Sequence, residues 1–232
     1  RADHLPDRFA GRPSWDASRC AGCPGPCEDL CPTGALARRD GTLTLDLGLC
    51  LFCRKCERGC PRGALTFGRD YRLAATRRED LILDGTPRPR GELRNPEASR
   101  LGGRVFSLRV VSAGGCGACE ADANVLNTLA WDLGRFGVQF VASPRHADGL
   151  LLLGPVPENM ATALQDTYDA IPTPKFVVAS GACAISGGIY RPRPECGAGN
   201  TPPPLPVDLY VPGCPPHPAT LLHALLAFLG RI

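Results

Sequence analysis

Residues 104–127 read RVFSLRVVSAGGCGACEADANVLN. An apolar, β-branched run ends in a glycine-rich turn, and a helix-forming stretch follows. That strand–turn–helix order predicts the opening of a parallel α/β unit. Cys116 and Cys119, in the turn, predict half of a metal site at the carboxyl end of the first strand. The rest of the sequence has to supply the other half.

Downstream the alternation continues. RVFSLRVV (104–111) is expected as a strand, CEADANVLNTLAWDLGRF (119–136) as a helix, and VQFVA (138–142) and GLLLLG (149–154) as strands. PENMATALQDTYDAI (157–171) is expected as a helix, KFVVA (175–179) as a strand, and VDLYV (207–211) as the last strand before a final helix. Such alternation predicts a parallel sheet with helices on both faces, whose ligands gather beyond the carboxyl ends of the strands. Cys183, in SGACAISGG, follows the KFVVA strand, and Cys214, in VPGCPP, follows the VDLYV strand. Three strand ends thus carry Cys116, Cys119, Cys183 and Cys214 to one rim, the arrangement expected for a 4Fe–4S cluster. Gly115, Gly117, Gly181 and Gly213 beside them would let backbone approach a bulky cluster and donate N–H groups to its sulfurs. Cys196 falls in the Pro/Gly loop RPRPECGAGN and is read as a non-ligand.

Upstream, CAGCPGPCEDLCPTGAL (20–36) and CLFCRKCERGCPRGAL (50–65) are copies of one another. The second fits C-x2-C-x2-C-x3-C-P; the first carries one extra residue between Cys23 and Cys27. In such a run three thiolates wrap one cubane and the cysteine before proline serves the other. Crossed ligation follows, with Cys20, Cys23, Cys27 and Cys60 on one cluster and Cys50, Cys53, Cys56 and Cys31 on the second. Four ligands in one short segment, each ending in Cys-Pro, favour iron–sulfur over zinc, which takes two distant pairs, or over a disulfide framework. GTLTLD (41–46) alternates like a strand between the copies. This unit, 15–68, resembles the bacterial two-cluster ferredoxins, an α+β fold. Residues 1–14 are read as an arm, and 69–103, rich in Arg, Pro and Gly, as a linker or an arm laid on a partner.

Composition narrows the function classes. The chain has 13 cysteines in 232 residues, grouped rather than dispersed, which favours metal in a reducing compartment. The formal charge of +3 does not point to nucleic acid, because thiolate-bound clusters are anionic, basic residues are interspersed with acids, and aromatics are only 6%. No segment reaches the roughly 18 apolar residues of a membrane span; ATLLHALLAFLG (219–230) reads as a packed helix. The N-terminus has no signal-type apolar stretch, and the tight C-x-x-C grouping is the ground on which a cytoplasmic location is expected.

CGACEAD, SPRHADGLLLLG, SGACAISGGIY and PVDLYVPGCPPHPATLL together resemble the small subunit of membrane-bound, energy-converting NiFe-hydrogenases of the formate hydrogenlyase type. The same domain occurs in the cluster-bearing subunit of respiratory complex I that lies next to the quinone site. The resemblance spans about residues 104–230 and implies a flavodoxin-like α/β domain, 104–232. It implies that the domain holds the cluster nearest a catalytic centre that lies in a separate large subunit. Cys116-x-x-Cys119, where complex I has adjacent cysteines, and His146 favour the hydrogenase form. Ile185, where the family has Asn, and the less apolar EADANV depart from it. The resemblance also makes Glu120 a proton-relay candidate, beside its plain reading as a first-turn helix acid; Asp122 is two residues further on.

His223 is read as packed core, and His146 with Arg145 as hydrogen-bonding near the cluster or a partner, or as a cap. GPV (154–156) and GAGN (197–200) are no nucleotide fingerprint. The chain is therefore expected to be an electron-transfer subunit carrying three 4Fe–4S clusters. Its expected partners are a hydrogenase-like large subunit, further soluble and membrane subunits, and a redox donor or acceptor protein, but no nucleic acid. Through those partners it would sit on the inner face of the cytoplasmic membrane. A complex I-like relay to quinone or another acceptor, and a freestanding ferredoxin-like carrier, are the competing readings.

Overall fold

Both cysteine runs fold by the same local bonds. Ala35 donates its N–H to Cys31 Sγ at 3.2 Å, and Ala64 donates to Cys60 Sγ at 3.2 Å. Gly34 N–H bonds the Cys31 carbonyl at 3.2 Å and Gly63 N–H the Cys60 carbonyl at 3.1 Å. In each copy the glutamate after the third cysteine accepts a backbone N–H ten residues on: Glu28 Oε1 from Arg38 at 2.6 Å, and Glu57 Oε1 from Phe67 at 2.9 Å.

The computed structural model describes residues 5–23, 25–39, 41–86, 91–101, 104–191, 193–196 and 205–232. Residues 1–4 of the arm, Pro24 in the first run, 87–90 and 102–103 of the segment 69–103, and GAGN (197–200) lie outside the described residues. The N-terminal unit contains β1 (Pro13–Trp15), α1 (Ala17–Cys20), β2 (Leu36–Arg39), β3 (Thr42–Asp46), α2 (Lys55–Arg58) and β4 (Leu65–Phe67). β1 pairs antiparallel with β4, and β2 with β3, so a short ribbon follows each cysteine run. Asp16 caps α1, accepting from Ser18 N–H at 2.9 Å.

The described residues of segment 69–103 pack on their own chain. Ala75 exchanges hydrogen bonds with Tyr210, and β5 (Ile82–Leu83) adds a third strand beside β3. Leu81 is fully buried. α3 (Pro96–Arg100), capped by Asn95, follows, and Asn95 N–H bonds the Phe228 carbonyl at 2.9 Å.

The remaining elements are β6 (Phe106–Ser112), α4 (Ala118–Val125), β7 (Val138–Phe140), β8 (Gly149–Leu153), α5 (Glu158–Asp169), β9 (Phe176–Ser180), α6 (Ala182–Ser186), β10 (Leu209–Val211) and α7 (Pro218–Phe228). The sheet order is β10-β9-β8-β6-β7, and every pairing is parallel. Counted within the domain this is 2-1-3-4-5, the flavodoxin-like order, which reverses between β6 and β8. Leu150 to Leu153 on central β8 are fully buried, as an unbroken apolar run on a doubly covered strand should be. One face packs on α4 and α7 through Leu126, Leu221, Leu225 and Phe228. The other carries α5 and the N-terminal unit in one continuous apolar cluster that runs from Trp15 and Leu45 through Leu81 and Ile185 to Leu150 and Leu152.

The helix expected over 119–136 is shorter. α4 ends at Val125, where the Thr128 hydroxyl takes the Val125 carbonyl at 2.7 Å. Asp132 then turns to φ +43, and only a 3-10 turn, Leu133–Phe136, remains. Among the described residues no helix is long and apolar enough to cross a membrane.

Candidate metal centres

The thiols of the two N-terminal runs group in the crossed sense. Cys20 is pushed up by burial and by the charges of Cys60, Cys27 and Cys23, with Arg38 opposing. Cys50 is pushed up to about 12 by burial, and Cys56, Cys31 and Cys53 add to the shift. Burial raises Cys56 to about 11, with Cys31 and Cys53 contributing. Burial also raises Cys60, but N–H groups of Ala64, Leu65, Arg62 and Gly63 outweigh it and hold the thiol below its ordinary value. Phe52 donates its N–H to Cys50 Sγ at 3.3 Å.

The third group assembles at the carboxyl rim of the sheet. Cys116 and Cys119 follow β6, Cys183 lies on α6 after β9, and Cys214 follows β10. Burial drives Cys119 to about 12, with Cys183 and Cys214 the next largest causes. Cys183 reaches about 11 through burial and the charges of Cys214 and Cys116. Cys214 is raised by burial, by Cys116 and also by Cys53, and Leu51 and Phe52 beside Cys53 line one cleft with Cys214, so the second N-terminal group faces the third. Cys196, on the 3-10 turn Pro194–Cys196, also bears on Cys183, which makes it a fifth thiol beside this group rather than a remote one.

Several glycines shape this rim. Gly181 has φ +96, and a Cβ there would lie 2.7 Å from Cys119 Sγ. Gly188, which the sequence did not single out, does the same for Cys183: its Cβ would lie 3.0 Å from the Sγ. Gly115 lies against Gly154, at the strand-order reversal; Gly117 precedes α4, and Gly213 precedes Cys214.

Glu120 is the first-turn acid of α4 and accepts the Ser112 hydroxyl at 2.5 Å, joining the helix to the end of β6. Asp122 is raised by burial, with His217 opposing, and His217 is lowered by burial, with Asp122 opposing. His217 Nδ1 accepts the Ala219 N–H at 3.2 Å and caps α7. Its ring meets Phe9 and Trp131 edge-on at 5.2 and 6.0 Å. It stands in a cleft of about 570 Å³ that also exposes Phe52, Asp122 and Cys214.

Two histidine readings need correction. Arg145 and His146 sit exposed on a 3-10 turn that feeds the amino end of β8, at the opposite end of the sheet from the thiol rim. His223 is only half-buried and meets Tyr71 edge-on at 5.7 Å. Glu28 and Glu57 were legible in principle, since each follows the third cysteine of its copy. Ser112 left no such trace.

Four thiols, some buried and some at the surface, that repel one another as thiolates are a donor set suited to a cationic, thiophilic core. Among the described residues no three His, Cys, Asp or Glu side chains close on a single ion. The groups are defined instead by their loops and by mutual electrostatics.

The family described as NADH ubiquinone oxidoreductase, 20 Kd subunit, matches residues 116–228. The chain is 36% identical over 155 residues to "Probable membrane-bound hydrogenase subunit mbhJ" of Pyrococcus furiosus, covering 65% of this chain and 90% of that one. It is 41% identical over 122 residues to "Formate hydrogenlyase subunit 7" of Escherichia coli, covering 53% and 48% respectively. It is 40% identical over 118 residues to an NADH-quinone oxidoreductase subunit of Citrifermentans bemidjiense, covering 51% and 68%. With its thiol-bearing rim on a parallel sheet of this order, the chain belongs to the family of the NADH ubiquinone oxidoreductase 20 Kd subunit.

Proposed function

We propose that the chain is the electron-relay subunit of a multisubunit oxidoreductase, carrying three 4Fe–4S clusters and serving a catalytic large subunit of NiFe-hydrogenase type. The observation that carries this reading is the convergence of Cys116, Cys119, Cys183 and Cys214 from three strand ends, with Cys53 of the N-terminal unit facing Cys214. When bound, such clusters supply reversible one-electron transfer. The chain's own residues hold the sites, exclude water with the apolar cluster beneath them, and donate N–H groups to ligand sulfurs. The N-terminal unit, in this reading, is a bacterial ferredoxin-type domain bound by Cys20, Cys23, Cys27 and Cys60 and by Cys31, Cys50, Cys53 and Cys56.

Cys116 and Ile189 are exposed at the third site, and there the large subunit would dock. Likeness to a membrane-bound hydrogenase subunit supports peripheral association with a membrane through other subunits. The competing acceptor, a quinone, rests on the likeness to the NADH-quinone oxidoreductase subunit. Anaerobic purification of the native assembly tests both: about twelve iron and twelve sulfide per chain are expected. A large subunit with two C-x-x-C pairs supports the hydrogenase, and one without them supports the other acceptor. About eight iron, or stoichiometric zinc, would remove the three-cluster relay.

A further inference from the structure

The two N-terminal loops are copies in backbone and ligands but not in what covers them. Because Glu28 accepts from Arg38 N–H and Glu57 from Phe67 N–H, Arg38 and Phe67 occupy equivalent positions in the repeat. Arg38 folds its guanidinium back over the first loop. Nη1 donates to the Cys20 carbonyl at 3.4 Å and Nη2 to the Cys23 carbonyl at 3.1 Å, while Nε lies 3.5 Å from Glu28 Oε2. Its side chain is 24% exposed, so its charge is only partly screened by water. Phe67 instead meets Phe52 edge-on at 6.1 Å and packs against the buried thiols Cys50 and Cys56.

Other cations approach both loops from solvent. Arg62 donates to the Arg19 and Ala21 carbonyls at 2.9 and 3.1 Å, and exposed Arg58 donates to the Cys53 carbonyl at 3.0 Å. Arg54 pairs with Glu57 as Arg38 pairs with Glu28, so each charge is partly offset, but among the described residues Arg38 alone also reaches two cysteine carbonyls of its loop. The half-buried cation on one side and the aromatic on the other are what distinguish the copies.

We propose that Arg38 splits the two N-terminal sites electrostatically, holding the site of Cys20, Cys23, Cys27 and Cys60 at a higher reduction potential than the site of Cys31, Cys50, Cys53 and Cys56. The inference rests on the 4Fe–4S reading above. Reduction adds a negative charge to a thiolate-bound cluster. A fixed, half-buried cation stabilises that charge more than a solvent-screened one such as Arg58, and burial of the cluster opposes it. Arg38 is thus a tuning residue: it touches ligand carbonyls and acts through them and through its charge. Phe52, next to Cys53, lines one cleft with Cys214, so the lower-potential site is the one beside the third group, and the site farther along the unit is where an electron rests.

The test is a mediated dithionite titration of the full chain, reconstituted anaerobically and followed by magnetic resonance. Signals are assigned by those lost in Cys23→Ala and Cys53→Ala. Two separated N-terminal potentials are expected, the Cys23 site higher. Arg38→Leu and Arg38→Gln should move that site alone to lower potential, and Arg38→Lys should return it most of the way. Coincident wild-type potentials, or a Leu variant that leaves the Cys23 site in place with iron complete, would overturn the inference while leaving the cluster reading intact. Failure of the wild-type N-terminal unit to take about eight iron would overturn the cluster reading itself. Loss of iron from the Cys23 site in both neutral variants would make Arg38 a structural brace and end the tuning role.

Discussion

Ser186 Oγ donates a hydrogen bond to the Gly48 carbonyl at 2.7 Å, across 138 residues of chain. Ser186 ends the helix that carries Cys183, and Gly48 lies two residues before Cys50. The bond therefore ties a loop of the N-terminal unit to the thiol rim of the sheet. Removing it with Ser186→Ala should cost about 1 kcal/mol. Gly48→Ala should cost more, about 1–3 kcal/mol, because its Cβ would lie 2.8 Å from Ile185 Cγ2 and 2.9 Å from Arg78 Cζ. Denaturant unfolding of the two variants measures both effects, and a Gly48→Ala chain as stable as wild type would show that this seam is loosely packed.

Gly181 and Gly117 both have positive φ, yet alanine should act differently at the two. At Gly181 the added methyl meets Cys119 Sγ at 2.7 Å, while at Gly117 nothing lies within 4 Å. Gly181→Ala should lose about four iron from the third site and keep both N-terminal signals. Gly117→Ala should keep its iron and lose only about 1–2 kcal/mol to backbone strain. Iron analysis beside thermal melting separates the two outcomes.

Cys196→Ser should leave iron content and the reduced-state spectrum unchanged, because four other thiols already come from the strand ends. A loss of about four iron in this variant alone would make Cys196 a ligand.

Glu120→Gln keeps shape and the acceptor for the Ser112 hydroxyl but cannot carry a proton. With a relay role, turnover of the assembled complex should fall about 10²-fold or more with every cluster still reducible by dithionite. Near-normal turnover would leave Glu120 as the acid that joins α4 to β6.

Burial raises the Asp208 carboxyl above its ordinary range, against the Val177 N–H that donates to it at 2.8 Å. A raised acid favours the protonated native state, so its contribution to stability is full below about pH 4 and is lost as pH rises through the raised value. Asp208→Asn can keep the Val177 bond without the charge. Its apparent melting temperature should exceed wild type at about pH 8, and the gap should close as pH falls towards about 4. A gap that is constant with pH would mean that the carboxyl has the same pKa in the folded and unfolded chain, so that burial does not raise it.

Where the fold was legible, the signal was local. The two C-P runs specify their loops within a dozen residues, and the four leucines from Leu150 to Leu153 can only be a strand covered on both faces. The extra residue in the first run leaves the Cys20 thiol grouped with Cys60. What escaped the sequence depends on distance. β1 and β4 have three residues each and acquire strand character only by pairing Trp15 with Leu65. Residues 69–103 looked like a linker because the hydrogen bonds of Ala75 and the burial of Leu81 are supplied from elsewhere in the chain. The helix after Cys119 was drawn too long because apolar spacing continues past Val125, whereas the Thr128 hydroxyl and Asp132 backbone stop it. Cys183 and Cys214 were placed correctly at strand ends, but nothing local revealed that Cys53 would face Cys214.

Ala75 N–H bonds the Tyr210 carbonyl at 3.0 Å and Tyr210 N–H returns a bond to Ala75 at 2.8 Å. These two bonds lie on β10, at one edge of the sheet, where an uncovered strand invites another chain to add itself. The opposite edge, β7 (Val138–Phe140), is as short as β10 and is the same with or without residues 1–103. A fragment beginning at Arg104 would keep the whole parallel sheet yet lose both this cover and the Leu81 plug beneath it. Such a fragment should self-associate when expressed alone, whereas the longer chain, which carries its own edge guard, should not.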